Sequence, residues 1–214
     1  MSISGQTPLL NDLREAVGAD NVRRGEADRI AYSSDMWPRH QIWKVGGEPS
    51  RYPPDAVVWP ADEAEVAAVV RVCARYGVPI VPYGAGSGVC GGAVPIRGGV
   101  VVDLKRLDAF VDVDDHDLTV EAGPGIIGMH LEEELQARGY TLGHFPSSIL
   151  CSTLGGWLAA RSAGQFSSRY GKIEDMVESM RVVTADGSIL ETGPDEPFDW
   201  TQVVVGSEGT LGLI

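Results

Sequence analysis

The chain has 214 residues, 43% of them hydrophobic and 22% charged, which allows one large core or two small ones and argues against wholesale disorder. With 30 acidic against 17 basic residues the net charge is −13, which speaks against a nucleic-acid or anionic-membrane surface. The 3 cysteines (Cys73, Cys90, Cys151) lack C-x-x-C spacing, so they give no metal site and suit a reducing compartment, and no apolar run approaches the ~18 residues of a membrane span.

In chain order, the amino terminus has neither the basic nor the apolar region of a signal peptide, so a cytoplasmic protein is expected. Residues 9–17 read as a short amphipathic helix. Residues 23–54 read as an irregular stretch with Tyr32, Trp37, Trp43 and Tyr52 among prolines and glycines. Residues 56–59 form a short strand ended by Pro60. Asp62 and Glu65 make a capping pattern, and Val66, Val69, Val70 and Cys73 fall at helical spacing until Gly77. Residues 78–83 are a strand that runs into glycines, and residues 100–104 are another.

A second unit follows. Residues 118–122 alternate like a half-buried strand, and 125–138 are helical, with Leu131 and Leu135 on one face and Gly139 as the stop. Residues 154–163 read as a small-residue helix. Residues 180–184 and 188–191 form a hairpin about Asp186-Gly187, and 202–205 form a last buried strand. The expected organisation is a lead-in over 1–52, a first subdomain over 53–112 and a second over 113–214. The apolar, glycine-rich run at 209–214 is unlike a frayed polar end, so a longer protein is expected, with a substrate domain and catalytic groups further along.

The stretch VPIVPYGAGSGVCGG at residues 78–92 carries the most chemistry. A strand opening into glycines lets the main chain approach a phosphate, because no Cβ stands in the way. Residues 86–91 also fit G-x-G-x-x-G, yet a nicotinamide-binding turn must open a helix at its last glycine. Here Pro95 and further glycines bar that helix, and the preceding helix comes before the strand. Three other segments have the same character. Residues 143–157 carry Ser147, Ser148, Ser152 and Thr153 ahead of a Gly-Gly pair, which suits either an anion or helix capping. Ala160, Arg161, Ser162 and Ala163 leave room for a flat ring, with Arg161 serving a phosphate or a surface carboxylate. Residues 206–212 run from a predicted strand into glycines and alone read as a loop. Four such segments at strand and helix ends are what an extended ligand requires.

Among the histidines, His40 and His130 are expected to face solvent. His116, within Asp114-Asp115-His116-Asp117, belongs to a polar turn rather than a metal cluster, and His144 precedes the second segment and is a candidate to approach a bound ring.

The motifs PYGAGSG (82–88), PSSILCSTLGGW (146–157), ARSAG (160–164), YGKIEDMV (170–177) and GSEGTLGLI (206–214) together resemble the FAD-binding domain of the FAD-linked oxidases, the vanillyl-alcohol oxidase or PCMH type. The resemblance is closest to the alkyldihydroxyacetonephosphate synthase and D-2-hydroxyacid dehydrogenase branches. It implies an α+β fold of two subdomains with FAD between them. It also implies FAD contacts at Gly84, Ala85, Gly86, Ser87 and Gly88 for the pyrophosphate, and at Pro82, Tyr83, Ser147, Ser148, Ser152, Thr153, Gly156, Ala160, Arg161, Ser162 and Ala163 along the cofactor. Glu208, Gly209, Thr210, Leu211, Gly212 and Ile214 would follow the adenosine portion, the main chain of residues 211–214 meeting the adenine edge.

Two departures stand out: Gly84-Ala85-Gly86-Ser87 replaces the synthases' Gly-Gly-Gly-Thr, and Ser147 replaces an acidic residue. No histidine stands near Ser87, so FAD is expected to be non-covalent, with a thioether at Cys151 as the minor alternative to an inert thiol. The resemblance implies hydride transfer from a 2-hydroxyacid or related alcohol, the alternatives being a synthase without net redox change or a flavin-binding module without catalysis of its own. Partners implied are FAD, a small-molecule substrate and a homodimer.

Overall fold

Runs of valine build the first half of the molecule. The computed structural model describes residues 7–48, 51–194 and 197–214. In it, β2 (Ala56–Val58) and β4 (Val100–Asp103) are buried along their whole length and lie parallel, with Val57 opposite Val101. Such continuously apolar strands belong in a sheet covered on both faces. β3 (Ile80–Tyr83) lies parallel on the far side of β4, and β1 (Val22–Arg23) is antiparallel on β2, giving the order β1-β2-β4-β3. Ala56, Val58, Val100 and Val102 point to one face, where α1 (Thr7–Val17) and α4 (Glu63–Tyr76) cover them. Val57, Val101 and Tyr83 point to the other, beneath Tyr32 and Trp59.

The α4 boundaries follow from the cap residues. Asp62 Oδ1 accepts from the Glu65 amide at 2.8 Å, Glu65 Oε2 accepts from the Ala61 amide at 2.7 Å, and Gly77 ends the helix at φ 62°. Leu9, Leu13 and Val17, four residues apart on α1, are buried against it. Full burial of each leucine stabilises the fold by about 1.5–3 kcal/mol.

The stretch at 23–54 is more ordered than its composition suggests. It holds α2 (Glu26–Ala31) and α3 (Pro38–Val45), the latter started by Pro38 at its first turn. These helices are short and mostly exposed, so they leave little periodic signal. His40 on α3 is buried rather than solvent-facing, and its Nδ1 sits 3.0 Å from Asp35 Oδ1.

The second half pairs β5 (Phe110–Asp114) with β6 (Thr119–Ala122) in an antiparallel hairpin, and the position 112/113 expected to divide the subdomains falls inside β5. Asp114 Oδ1 accepts from the amides of His116 and Asp117, so the acidic run is the turn of that hairpin. These amides hold the Asp114 carboxyl below its ordinary value. α5 (Gly128–Ala137) is shorter than the 125–138 expected, because the Gly125 amide donates to the Leu107 carbonyl instead of entering the helix. α6 (Leu154–Ala160) stops at Arg161, not at 163. After α7 (Ser167–Tyr170) come β7 (Met180–Val183) and β8 (Ile189–Thr192), joined through Asp186-Gly187 as expected.

The last predicted strand, 202–205, is helical instead: α8 spans Trp200–Val204. Asp199 Oδ1 caps it by accepting from the Gln202 amide at 3.0 Å, and a short apolar run carries no period that distinguishes strand from helix. Leu213 then returns to β7, exchanging both backbone hydrogen bonds with Val183 at 2.8 and 2.9 Å. Val183 and Leu213 are buried in the first core, so the two halves share packing. A second core gathers Leu131, Leu135, Trp157, Leu158, Val182 and Val204. Among the described residues no helix is long and apolar enough to cross a membrane.

Candidate functional site

The glycine loop leaves β3 after Tyr83, whose pairing with Asp103 is the last of the strand. From there the chain turns without a helix until β4, and α4 lies before β3. The helix that a nicotinamide fingerprint requires after Gly91 is therefore missing. Tyr83 is buried under the loop, and a Cβ built on Gly86 would lie 2.0 Å from Tyr83 Oη. With φ at 65° as well, only glycine fits at Gly86. Burial pushes the Tyr83 hydroxyl up to about 12, keeping it neutral.

The loop's backbone amides are left without partners in the described chain. Among the described residues, no backbone N–H from Ala85 to Gly92 donates to a protein acceptor, while the carbonyls of Gly84 and Gly88 are taken, by Lys105 Nζ at 2.8 Å and the Met36 amide at 3.0 Å. Unpaired amides on a half-exposed loop need an outside acceptor, and a row of them makes a concavity for an anion. The loop at 84–92 carries no carboxylate of its own.

The second segment touches this loop. A Cβ on Gly84 would lie 2.4 Å from Thr153 Oγ1, so the two backbones approach through the missing side chain. Thr153 is 1% exposed and caps α6, accepting from the Gly156 amide at 3.3 Å. Ser152 is also buried; its hydroxyl donates to the Ser148 carbonyl at 2.8 Å and accepts from the Trp157 indole at 2.6 Å. Ser148 is half-buried and donates to Ser152 Oγ, and Ser147 is exposed. The hydroxyl open to donate to a ligand in this segment is thus that of Ser147, since Ser148 spends its proton on Ser152, while Ser152 and Thr153 shape the backbone.

The third segment ends α6 with Arg161 at φ 50°. Its guanidinium donates from Nε to the Val205 carbonyl at 3.0 Å and from Nη2 to the Gln202 carbonyl at 2.9 Å, tying α6 to the end of α8. It engages backbone carbonyls there rather than a surface carboxylate. Ala160 and Ala163 are exposed, and Ser162 Oγ sits 3.2 Å from His144 Nε2. His144 is 1% exposed with its ring edge-on to Trp157; burial lowers its pKa and the nearby Glu174 opposes that shift. The Glu174 carboxyl is itself held low, chiefly by its ion pair with Lys172.

The fourth segment closes the ring of contacts. The amides of Gly206 and Glu208 donate to the carbonyls of Leu158 and Ala159 at 2.9 and 3.1 Å. A Cβ on Gly209 would lie 2.6 Å from Pro82 Cγ, and one on Gly92 2.9 Å from Glu208 Oε2. Thr210 Oγ1 donates to the Ser207 carbonyl, and Leu211 is exposed while Gly212 is buried. Both backbone groups of Leu213 are occupied by β7, and Ile214 faces a cavity of about 820 Å³ between the two hairpins, apart from the loop.

The four segments expected from the sequence therefore meet, through Gly84 and Thr153, Gly92 and Glu208, Pro82 and Gly209, Arg161 and Gly206. Sequence reasoning missed Asp103, Lys105 and Met36, which support the loop from behind. Open amides, glycines whose Cβ positions are filled, and exposed Ser147, Ala160 and Ala163 fit a long ligand with a pyrophosphate at one wall.

Comparison with known proteins agrees. Residues 54–193 match the model of the family described as FAD binding domain. The glycolate oxidase subunit GlcD of Bacillus subtilis is 33% identical over 96% of this chain and 44% of its own length. The alkyldihydroxyacetonephosphate synthase of Trypanosoma brucei brucei is 32% identical over 97% of the chain and 35% of its own length. The probable mitochondrial D-lactate dehydrogenase of Danio rerio is 35% identical over 96% and 41%. A solved structure of an alkyldihydroxyacetonephosphate synthase superposes with a TM-score of 0.90 at 35% identity, covering 97% of this chain and 38% of that one. The chain spans less than half the length of each of these relatives.

Proposed function

Because the chain belongs to the FAD-binding domain family and binds FAD as its cofactor, we propose that it serves an oxidoreductase acting on a 2-hydroxyacid or a related alcohol. When bound, FAD supplies the redox chemistry, accepting a hydride from a carbon that bears a hydroxyl. This chain's residues bind and orient it. The amides of residues 85–92 would receive the pyrophosphate, Ser147 would offer a hydroxyl beside it, Ala160 and Ala163 leave room for a flat ring, and residues 208–212 would flank the adenosine portion. The observation that carries this reading is the row of amides without acceptors, held open where Pro82, Thr153, Arg161 and Glu208 segments meet.

The relatives named for glycolate and D-lactate oxidation support the substrate class. The structural match to a synthase supports a second reading, an ether-lipid enzyme without net redox change. Attachment of FAD is non-covalent in both readings. The substrate-handling groups lie outside this chain, and a homodimer in a reducing, cytoplasmic compartment completes the proposal, in keeping with three free thiols. Assay of a full-length version decides: turnover of D-2-hydroxyacids with an electron acceptor supports the oxidoreductase, and turnover of acyl-dihydroxyacetone phosphate with a fatty alcohol supports the synthase. Activity on neither substrate class would defeat both.

A further inference from the structure

Directly beneath the glycine loop lies a polar cluster. Asp103 closes β4 with 0% exposure, and its carboxylate takes four donors. The Tyr32 hydroxyl reaches Oδ2 at 2.5 Å, the Trp59 indole at 3.1 Å and the Lys105 ammonium at 2.5 Å, while the Lys105 amide donates to Oδ1 at 2.9 Å. A buried carboxylate persists only with such a full set of partners. The Lys105 ammonium also lies 5.6 and 5.1 Å from the ring centroids of Tyr32 and Tyr83, within cation–π range. It has a second bond, to the Gly84 carbonyl at 2.8 Å.

That bond has a geometric consequence. The peptides of the described residues are all trans, so a carbonyl and the N–H that follows it point in opposite directions. With the Gly84 carbonyl drawn down to Lys105, the Ala85 N–H is turned up and away from the protein. The Met36 amide does the same at the far end, fixing the Gly88 carbonyl and turning out the Val89 N–H. Two held carbonyls thus turn the Ala85 and Val89 amides outward, and a cation sits just behind Ala85 in a chain of net charge −13.

We infer that Lys105 is a positioning residue for the cofactor's pyrophosphate: anchored by Asp103, it fixes the Gly84 carbonyl inward, aims the Ala85 amide at the phosphates and places one positive charge behind the loop. This rests on the reading that the loop receives the pyrophosphate. Lys105→Met removes donor and charge at similar length, and Lys105→Arg keeps both. FAD dissociation constants are read by fluorescence at low and high salt. Lys105→Met weakens FAD binding about tenfold or more and makes its salt dependence shallower, whereas Lys105→Arg stays within about threefold of the original chain. Affinity unchanged in Lys105→Met, or reduced with the original salt dependence and no recovery in Lys105→Arg, overturns the inference. Should Lys105→Met fail to fold, Lys105→Gln is judged by the same criteria. An original chain that binds no FAD defeats the reading of the loop itself, and the inference with it.

Discussion

Gly84→Ala is the substitution that most directly tests whether the two halves of the site touch. Its Cβ would stand 2.4 Å from Thr153 Oγ1, while the other Thr153 atoms nearby are 3.6 and 3.8 Å away, so a single oxygen causes the clash. Forcing extra volume into a packed contact costs about 1–3 kcal/mol. Thr153→Ala alone loses the cap of α6, about 1 kcal/mol. For a chain of this size each kcal/mol lowers the melting temperature by about 2–4 °C. Taking about 2 kcal/mol for Gly84→Ala, the single variants should melt lower by about 4–8 °C and about 2–4 °C. If the sites were independent the double variant would lose the sum, about 6–12 °C. Removal of the offending oxygen instead leaves the double variant near Thr153→Ala alone, about 2–4 °C below the original chain. Thermal unfolding of all four proteins by circular dichroism reads the cycle. Additive losses would refute the contact between the glycine loop and the α6 cap.

Three further outcomes are expected. Burial lowers the pKa of His144 in the folded chain, so its stability contribution is complete above the ordinary value of 6.5 and is lost as pH falls through the lower folded value. Urea midpoints should therefore drop as pH falls below about 6.5, and His144→Gln should flatten that part of the profile. Burial pushes the Cys73 thiol up to about 12, whereas Cys90 and Cys151 are exposed, so iodoacetamide should label the latter two in the native chain and Cys73 only after unfolding. Rapid native labelling of Cys73 would contradict its burial. The 214-residue chain should hold FAD yet turn over D-2-hydroxyacids negligibly in a steady-state assay, and full-rate oxidation would show that the substrate-handling groups lie within it.

What could be read from sequence was local. Asp62 and Glu65 announced α4, the Asp-Gly pair announced the β7–β8 turn, and the valine runs announced β2 and β4, because caps, turns and buried strands act over a few residues. The four glycine- and hydroxyl-rich segments were legible through their composition, and the structure brings them together. β5 was not, since most of it is exposed and its acidic residues resemble a loop. α8 was misread because five residues carry too little period. His40 was misplaced because its partner Asp35 gives no spacing signal beyond a polar neighbour. Lys105 stayed hidden for a different reason: it reaches Gly84 only because β3 and β4 pair with Tyr83 opposite Asp103, a register that no pattern within either strand reveals.

Whether the amides of residues 85–92 are the cofactor's phosphate contacts is read by amide NMR of the 22.8 kDa chain during titration with FAD. The N–H resonances of Ala85 to Gly92 should shift on binding and become slower to exchange with solvent, with those of β5 and β6 unmoved. Binding of FAD that leaves the amides of residues 85–92 unshifted would show that they are not its phosphate contacts.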